Sequence, residues 1–299
     1  MTSVRSFLRK AHNFGDKMWW GARVVGVGAA TRGAVRLGYL YARRPSRGEV
    51  QLRSGQILEF AFPSQVPTAL LTFGDFIDPE FAFLRKIYRP DWIVADVGAA
   101  IGQFTLFAAT LPSAKVHAFE PSSANVAALM RNIDRNGVRD TVEVHRIAYS
   151  NTESEAYFQT TASTWLSGLS ENGTEPVSVR TLTADFQRLG LNHVSILKIN
   201  VAGFEPQVIE GADAFLRGGG ADVLIMLLGL GSLTWYAKLA TYGYRFFYYH
   251  PLQTALYEVT SFDANSVLGY RPWPARNIIA IHQSAMQSYR EMGLSIRKI

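Results

Sequence analysis

The chain has 299 residues, 48% hydrophobic and 18% charged, a composition that can bury a core and excludes a disordered polymer. It has no cysteine, which excludes a disulfide scaffold, a zinc site with thiolate ligands and a cysteine nucleophile. Of the net charge of +6, residues 1–47 supply ten bases and one acid, whereas the remaining residues hold 20 bases and 23 acids. Charge therefore gives no support to a nucleic-acid partner for the rest of the chain.

Residues 4–20 are predicted to form a basic amphipathic helix, because apolar residues recur at three- and four-residue steps between arginines and lysines. Trp19-Trp20 end this segment, and a Gly/Ala/Val stretch with several arginines follows. Three interpretations of residues 1–47 stay open: a packing helix with a solvated linker, a helix on an anionic membrane surface, and an organellar transit peptide. No uncharged run approaches the ~20 residues that span a bilayer, and no secretory signal is recognisable.

Residues 48–90 are predicted to lead into the core. Residues 49–62 alternate as in a short hairpin, with Ser54-Gly55 at the turn. A helix is predicted from Asp78-Pro79-Glu80 to Tyr88, because Pro79 suits the first turn and an acid suits the positive end of a helix.

From Asp91 onward, strands alternate with helices, which predicts an α/β fold with a mostly parallel sheet and helices on both faces. The predicted strands are 92–97, 115–119, 142–147, 195–200 and 223–228. The predicted helices are 101–111, 123–136, 184–189 and 205–216. A loop or hairpin excursion is predicted over 150–176, and antiparallel edge strands over 244–249, 255–259 and 277–281. The α/β domain is expected to cover residues 91–285, with a basic tail over 286–299.

The first strand of this domain ends in Asp96, and a turn containing Gly98 and Gly102 opens the next helix. Small residues at 98–100 allow a ligand to approach the backbone closely, and Gly102 allows tight packing of helix on strand. The two glycines are four positions apart, so the Gly-x-Gly-x-x-Gly dinucleotide fingerprint is absent. Asp96 would repel a pyrophosphate but suits a cationic amino-acid group. A nicotinamide dehydrogenase therefore ranks third among the hypotheses for this chain, after the two described below.

A second acid, Glu120, ends the next strand, 24 positions after Asp96. This offset is close to the ~20 residues at which an acid binds ribose hydroxyls in doubly wound folds. Ligands of open α/β sheets bind at the carboxyl ends of the strands, so the two acids predict a nucleoside site there.

Three ordered blocks resemble the FkbM family of class I, Rossmann-like S-adenosylmethionine-dependent methyltransferases. That family shows Asp-Val-Gly-Ala-Asn-x-Gly, then Phe-Glu-Pro, then Leu-Lys-Ile-Asp-Val-Glu-Gly-x-Glu followed by x-x-Leu-x-Gly-Ala. This chain has Asp96-Val97-Gly98-Ala99-Ala100-Ile101-Gly102, Phe119-Glu120-Pro121, Leu197-Lys198-Ile199-Asn200-Val201-Ala202-Gly203-Phe204-Glu205 and Val208-Ile209-Glu210-Gly211-Ala212. The resemblance covers residues 76–282.

The resemblance implies S-adenosylmethionine as cofactor and a sugar hydroxyl or related glycolipid or natural-product acceptor. It implies that the first turn frames the methionine end, Glu120 binds the ribose and Ala148 lies near the adenine, although core packing explains Ala148 equally well. The implied cofactor-binding residues are Asp96, Gly98, Ala99, Ala100, Gly102, Phe104, Glu120, Ser122 and Ala148. Because this cofactor is intracellular and no export signal is recognisable, we expect a cytoplasmic protein, membrane-associated if residues 1–47 bind lipid.

The third block departs from the family pattern where chemistry is expected. Asn200 and Ala202 replace an Asp and a Glu, and the fifth strand does not end in an acid. Asn200 can form hydrogen bonds but cannot act as a base. With Lys198 and Glu205 it forms the predicted catalytic set, although a packed lysine stem and a first-turn helix acid explain the latter two as well. A domain that binds the cofactor without turnover is therefore the second hypothesis.

The six histidines are scattered, and no two have the spacing of metal ligands on a helix. The sequence thus predicts no metal ligands. His145 and His193 are interpreted as structural, with no partner apparent in the sequence.

Overall fold

The computed structural model describes residues 19, 22–23, 26–52, 54–63, 70, 78–159, 168–169, 173–269, 277–293 and 295–298. The helix predicted over 4–20 lies outside this part except for Trp19. The chain divides into two units, Met1–Ile77 and Asp78–Ile299. The predicted 48–90 segment is thereby split, with its hairpin in the first unit and its helix in the second.

The first unit contains a helix that the sequence did not predict. Helix α1 (Val27–Arg43) occupies the Gly/Ala/Val stretch and ends at Arg44, which adopts a left-handed conformation. Strands β1 (Arg47–Gln51) and β2 (Ile57–Ala61) pair antiparallel, which confirms the predicted hairpin. In the described part of the chain, no helix combines the length and apolar character that crossing a bilayer requires.

The second unit is built on a nine-stranded sheet with the order β15-β13-β12-β14-β11-β10-β3-β4-β5. Its strands are β3 (Ile93–Val97), β4 (Lys115–Phe119), β5 (Val142–His145), β10 (Val194–Ile199), β11 (Ala221–Leu227), β12 (Tyr244–His250), β13 (Ala255–Val259), β14 (Asn277–His282) and β15 (Ser295–Lys298). Strands β5, β4, β3, β10 and β11 are mutually parallel. Their order is that of a doubly wound sheet, with the reversal between β3 and β10, where such folds bind ligands.

The C-terminal part extends the sheet further than the sequence predicted. Strand β14 is not at an edge, because it lies antiparallel between β11 and β12. Residues predicted as a basic tail instead form most of a helix, Gln283–Glu291, and strand β15, which pairs with β13. The helix buries Ala285, Met286 and Tyr289, and Ile296 of β15 packs partly buried against the same core, so the domain continues beyond residue 285.

Helices cover both faces of the sheet, as predicted. One face packs against α5 (Leu182–Arg188), α6 (Glu205–Gly211), α7 (Asp213–Arg217) and α8 (Leu233–Thr241). The other face packs against α2 (Glu80–Ile87), α3 (Gln103–Ala108), α4 (Ser123–Arg135) and α10 (Gln283–Glu291). A short helix, α9 (Ala264–Gly269), precedes β14. The sheet is therefore buried on both faces, and its strand ends are left at the edges.

The predicted excursion over 150–176 is a second, small sheet with the order β6-β9-β7-β8. Its strands are β6 (Ala148–Tyr149), β7 (Ser154–Gln159), β8 (Gly168–Leu169) and β9 (Glu175–Arg180). The third strand of the main sheet therefore ends at His145 rather than at 147. The chain enters the small sheet three positions later, at Ala148.

Candidate active site

The strand ends that carry the family motifs meet at one edge of the sheet. Val97, Phe119 and Ile199 end β3, β4 and β10 and are paired in register. The residues that follow them, Gly98, Glu120 and Asn200, therefore lie side by side at the reversal of strand order. This is the position expected of a nucleotide site in a doubly wound sheet.

Asp96, one residue before the end of β3, is fully buried. Its Oδ1 accepts a hydrogen bond from the Lys198 ammonium at 2.8 Å, and its Oδ2 accepts one from the Thr105 hydroxyl at 2.7 Å. The Lys198 Nζ atom also lies 5.2 Å from the centre of the Phe104 ring. The negative charge of Asp96 is thus compensated inside the domain, and its carboxylate is held in one orientation.

The turn after β3 is shaped by its neighbours within the protein. Gly98 has φ +81°, and a β-carbon there would overlap the carbonyl oxygen of Asn200, so the close approach of the two backbones requires glycine. Gly102 has φ +98°, and a β-carbon there would meet Leu129 of α4 at 2.5 Å. The close packing at Gly102 is therefore with a neighbouring helix. Ala100, where the family has Asn, has φ +49°, a conformation that Asn tolerates better.

Glu120 is 4% exposed, and its carboxylate is bound by the loops around it. Its Oε2 accepts the Ala100 N–H at 2.9 Å. Its Oε1 accepts the Ser122 N–H at 3.1 Å and the Asn125 side-chain amide at 3.0 Å. Burial raises the pKa of the Glu120 carboxyl, and these hydrogen bonds act in the opposite direction. Glu120 therefore ties the first turn to the start of α4.

The loop after β10 is held by Glu205, the first residue of α6. Its buried carboxylate accepts the N–H groups of Val201 and Gly203, each at 2.9 Å. Ala202, between them, is exposed and has φ +55°. Of the predicted catalytic residues, Lys198 binds Asp96, Glu205 shapes this loop, and Asn200 lies partly exposed at the strand edge.

The other predicted cofactor residues lie in different parts of the domain around this edge. Ser122 is the N-cap of α4 and accepts the Asn125 N–H at 3.4 Å. Ala99 packs under α4, and Phe104 packs in the layer beneath α3. Ala148 is buried among apolar side chains of the small sheet, such as Phe158. The packing of Ala148 is accounted for within the protein, and its place beside an adenine stays a prediction.

A polar cluster at the same edge was missed by the sequence analysis. Asp78 accepts the Gln103 side-chain amide at 3.2 Å, next to the glycine turn, and the Asn277 amide at 3.2 Å. Asn277 also donates to Glu80 at 3.4 Å and pairs with Leu227, the last residue of β11. Both carboxylates are buried. Nearly 200 residues separate the acids from Asn277, so no local pattern could have found them.

Residues 96–226 match the family model described as the Methyltransferase FkbM domain. Over this span, which is less than half of the chain, the sequence is similar to FkbM methyltransferases. The match begins at Asp96, near the end of β3, and ends at the penultimate residue of β11, so it includes the carboxyl ends of β3, β4 and β10. Comparison with curated protein sequences finds no match.

Several solved structures are similar to the chain. A methyltransferase FkbM from Methylobacillus flagellatus KT is 16% identical with a TM-score of 0.42, and the alignment covers 73% of this chain and 54% of that protein. A ribosomal protein L11 methylase from Lactobacillus delbrueckii subsp. bulgaricus is also 16% identical, with 70% and 78% covered and a TM-score of 0.39. A precorrin-6y C5,15-methyltransferase from Geobacter metallireducens GS-15 is 13% identical, with 68% and 85% covered and a TM-score of 0.38.

Proposed function

We propose that the FkbM domain transfers the methyl group of S-adenosylmethionine to an oxygen of a sugar hydroxyl or a related glycolipid or natural-product acceptor. The observation that carries the proposal is Glu120, a buried carboxylate at the carboxyl end of β4 beside the Gly98–Gly102 turn. The family match supports methyl transfer, and the acceptor class follows from the family resemblance of the motifs.

The residues at the sheet edge fit a nucleoside ligand. A carboxylate has about four lone-pair sites, and Glu120 uses two on Oε1 and one on Oε2. The remaining site on Oε2 can accept one ribose hydroxyl. Asp96 is paired with the Lys198 ammonium, whereas the hydrogen bonds to Glu120 come from uncharged amides.

When bound, S-adenosylmethionine supplies a methyl group on an activated sulfonium. Transfer to a hydroxyl oxygen would release the hydroxyl proton of the acceptor, so the site would need a base to take it. Asn200 can orient the hydroxyl but cannot take its proton. We propose that a buried carboxylate, that of Asp78 or Glu80, acts as the base in place of the acids that are absent at positions 200 and 202. Orientation and exclusion of water supply the rest of the acceleration.

Cofactor binding is tested by calorimetry with S-adenosylmethionine and S-adenosylhomocysteine. Removing a charge-assisted acceptor by Glu120→Gln should weaken binding about 10- to 100-fold. The matched control is Asp134→Asn, which changes an exposed carboxylate on the neighbouring α4 and should leave affinity unchanged. No heat with the wild-type protein at high cofactor concentration would defeat the proposal.

Methyl transfer is tested by release of S-adenosylhomocysteine with monosaccharides, nucleotide sugars, glycolipids and RNA as separate acceptors. Turnover with a sugar-containing acceptor supports the proposal, whereas turnover with RNA alone overturns the acceptor class. Asp78→Asn should lower kcat more than KM and flatten the pH profile of kcat if this carboxylate takes part in proton transfer.

The loss of acids at positions 200 and 202 supports a second candidate function, a cofactor-binding domain without turnover. It predicts that the wild-type protein binds S-adenosylhomocysteine but releases none from S-adenosylmethionine with any acceptor. In that case the double variant Asn200→Asp, Ala202→Glu should also be inactive. Activity that appears only in the double variant would show that the remainder of the site is competent.

We also propose that the N-terminal unit attaches a cytoplasmic protein to an anionic membrane surface. Val27, Val35 and Tyr39 of α1 are 69%, 68% and 58% exposed, and they recur at multiples of four residues alongside Arg32 and Arg36. Exposed apolar residues beside arginines favour anionic lipid interfaces. The full chain should sediment with phosphatidylserine vesicles and lose this in high salt. A Val35→Ser, Tyr39→Ser variant that sediments equally well would contradict it.

A further inference from the structure

Three side chains with metal-binding atoms meet at the outer edge of the main sheet, on β4 and β5. His117 Nδ1 lies 3.2 Å from His145 Nε2, and these nitrogens lie 3.5 Å and 3.6 Å from the two carboxylate oxygens of Glu143. The set comprises two imidazoles and one carboxylate. The helical spacing sought in the sequence could not reveal it, because these residues lie on adjacent strands.

Strand geometry brings the three residues to one face. Glu143 and His145 are two positions apart on β5, and His117 on the neighbouring strand β4 pairs directly with Glu143. Side chains two apart on a strand share a face, and directly paired residues are adjacent. The His145 ring stacks on Phe119 at 4.6 Å with 16° between the planes, and Phe119 in turn stacks on Phe186. Both imidazoles are therefore ordered by the core beside them.

We propose that His117, Glu143 and His145 form a binding site for a divalent transition-metal ion of the zinc class. A tetrahedral ion with bonds of about 2.0–2.1 Å to nitrogen keeps its ligand atoms about 3.3–3.4 Å apart. The three separations, 3.2, 3.5 and 3.6 Å, lie around that value. Two imidazole ligands favour zinc and its neighbours over magnesium or calcium.

The surroundings suit three protein ligands and one water. The histidine side chains are mostly buried, at 14% and 16% exposure, whereas the Glu143 side chain is 63% exposed and leaves the site open to solvent. The two rings lie 17° apart in a stacked arrangement, so one ring must turn about its Cβ–Cγ bond for both nitrogens to point at one ion.

The site is joined to the candidate active site through the backbone. The carbonyl of His145 accepts the N–H of Glu120 at 3.1 Å. An ion that fixes His145 against His117 therefore also fixes the strand end from which Glu120 projects. We infer that an ion bound here orders the nucleoside end of the sheet.

The test uses the tag-free full-length protein, stripped of metal and titrated with ZnCl2 against a chromophoric chelator. We expect one zinc per chain with a micromolar or lower Kd, and a rise in melting temperature with zinc. Loss of a direct ligand in His145→Asn or Glu143→Gln should weaken binding by more than the about 10–100-fold typical of an outer-shell partner. The matched control is His193→Gln, because His193 and Asp222 form a histidine–carboxylate pair at 3.1 Å with two ligand atoms only.

Cobalt substitution gives a readout that does not depend on folding of the variants. Co2+ bound to the wild-type protein should show visible absorption of a four-coordinate ion, and equimolar zinc should displace it. Absence of stoichiometric zinc binding to the wild-type protein overturns the proposal. Equal affinities in all three variants, or an equal loss in His193→Gln, overturn it as well.

Discussion

Gly98→Ala tests whether the first turn is shaped by the close approach of the backbones that follow the parallel strands β3 and β10. Gly98 has φ +81°, and an alanine β-carbon would overlap the carbonyl oxygen of Asn200 and lie 2.9 Å from its carbonyl carbon. A third neighbour, Val201 Cγ1, would lie at 3.2 Å. The first two atoms belong to the backbone and cannot rotate away, so the two strand ends must separate.

The magnitude follows from two contributions. A β-carbon in the left-handed region costs about 1–2 kcal/mol. Forcing an extra carbon into a packed site costs about 1–3 kcal/mol more. We expect Gly98→Ala to lower the free energy of unfolding by about 2–5 kcal/mol in total, which corresponds to a fall in melting temperature of about 4–20 °C for a domain of this size.

Gly190→Ala is the matched control. Gly190 has φ +72°, but no heavy atom of the described chain lies within 4 Å of a β-carbon placed there. It should show the conformational cost alone, about 1–2 kcal/mol. Urea denaturation and calorimetric titration with S-adenosylhomocysteine of both variants measure stability and cofactor affinity. Equal destabilisation by the two substitutions would refute the role assigned to the Asn200 carbonyl, as would unchanged cofactor affinity in a folded Gly98→Ala protein.

Three further predictions concern buried or paired charges. Lys198→Met leaves the Asp96 carboxylate buried without its cation, and in thermal denaturation it should destabilise the protein by about 3–5 kcal/mol. Adding Asp96→Asn to this variant removes the unpaired charge and should recover most of the lost stability. Glu205→Gln keeps one acceptor oxygen for two loop amides and should cost about 1–3 kcal/mol, with faster hydrogen exchange confined to that loop; unchanged exchange would contradict the contact. The hydrogen bond to Asp222 raises the pKa of His193, so its contribution to stability is complete below the unfolded pKa near 6.5 and is lost as pH rises through the folded value. The stability advantage of the wild type over His193→Gln should therefore shrink between about pH 6 and about pH 8, and a constant difference in urea denaturation would count against it.

The alternating part of the fold was predictable because its signals are local. Strand β4 has the bounds expected from the sequence, and α4 differs by one residue, since a capping serine and Gly137 frame an amphipathic run. Helix α1 was missed, because its glycines and arginines obscure the apolar period. Residues 286–299 were predicted as a tail. A short strand such as β15 is stable only when it pairs with β13, and such a pairing leaves no local signal in the sequence.

By itself the sequence determined the resemblance to a methyltransferase family and the sheet edge that carries the motifs, because each motif (an acid, a glycine turn and a helix start) lies within a few residues of sequence. Only the tertiary structure decided which groups those residues meet. It pairs Asp96 with Lys198, 102 positions away, and brings Asp78 within hydrogen-bonding distance of Asn277. It also places His117 beside His145 on a neighbouring strand. Contacts of this kind depend on strand order and register, which follow from how the whole core packs rather than from any short run of residues.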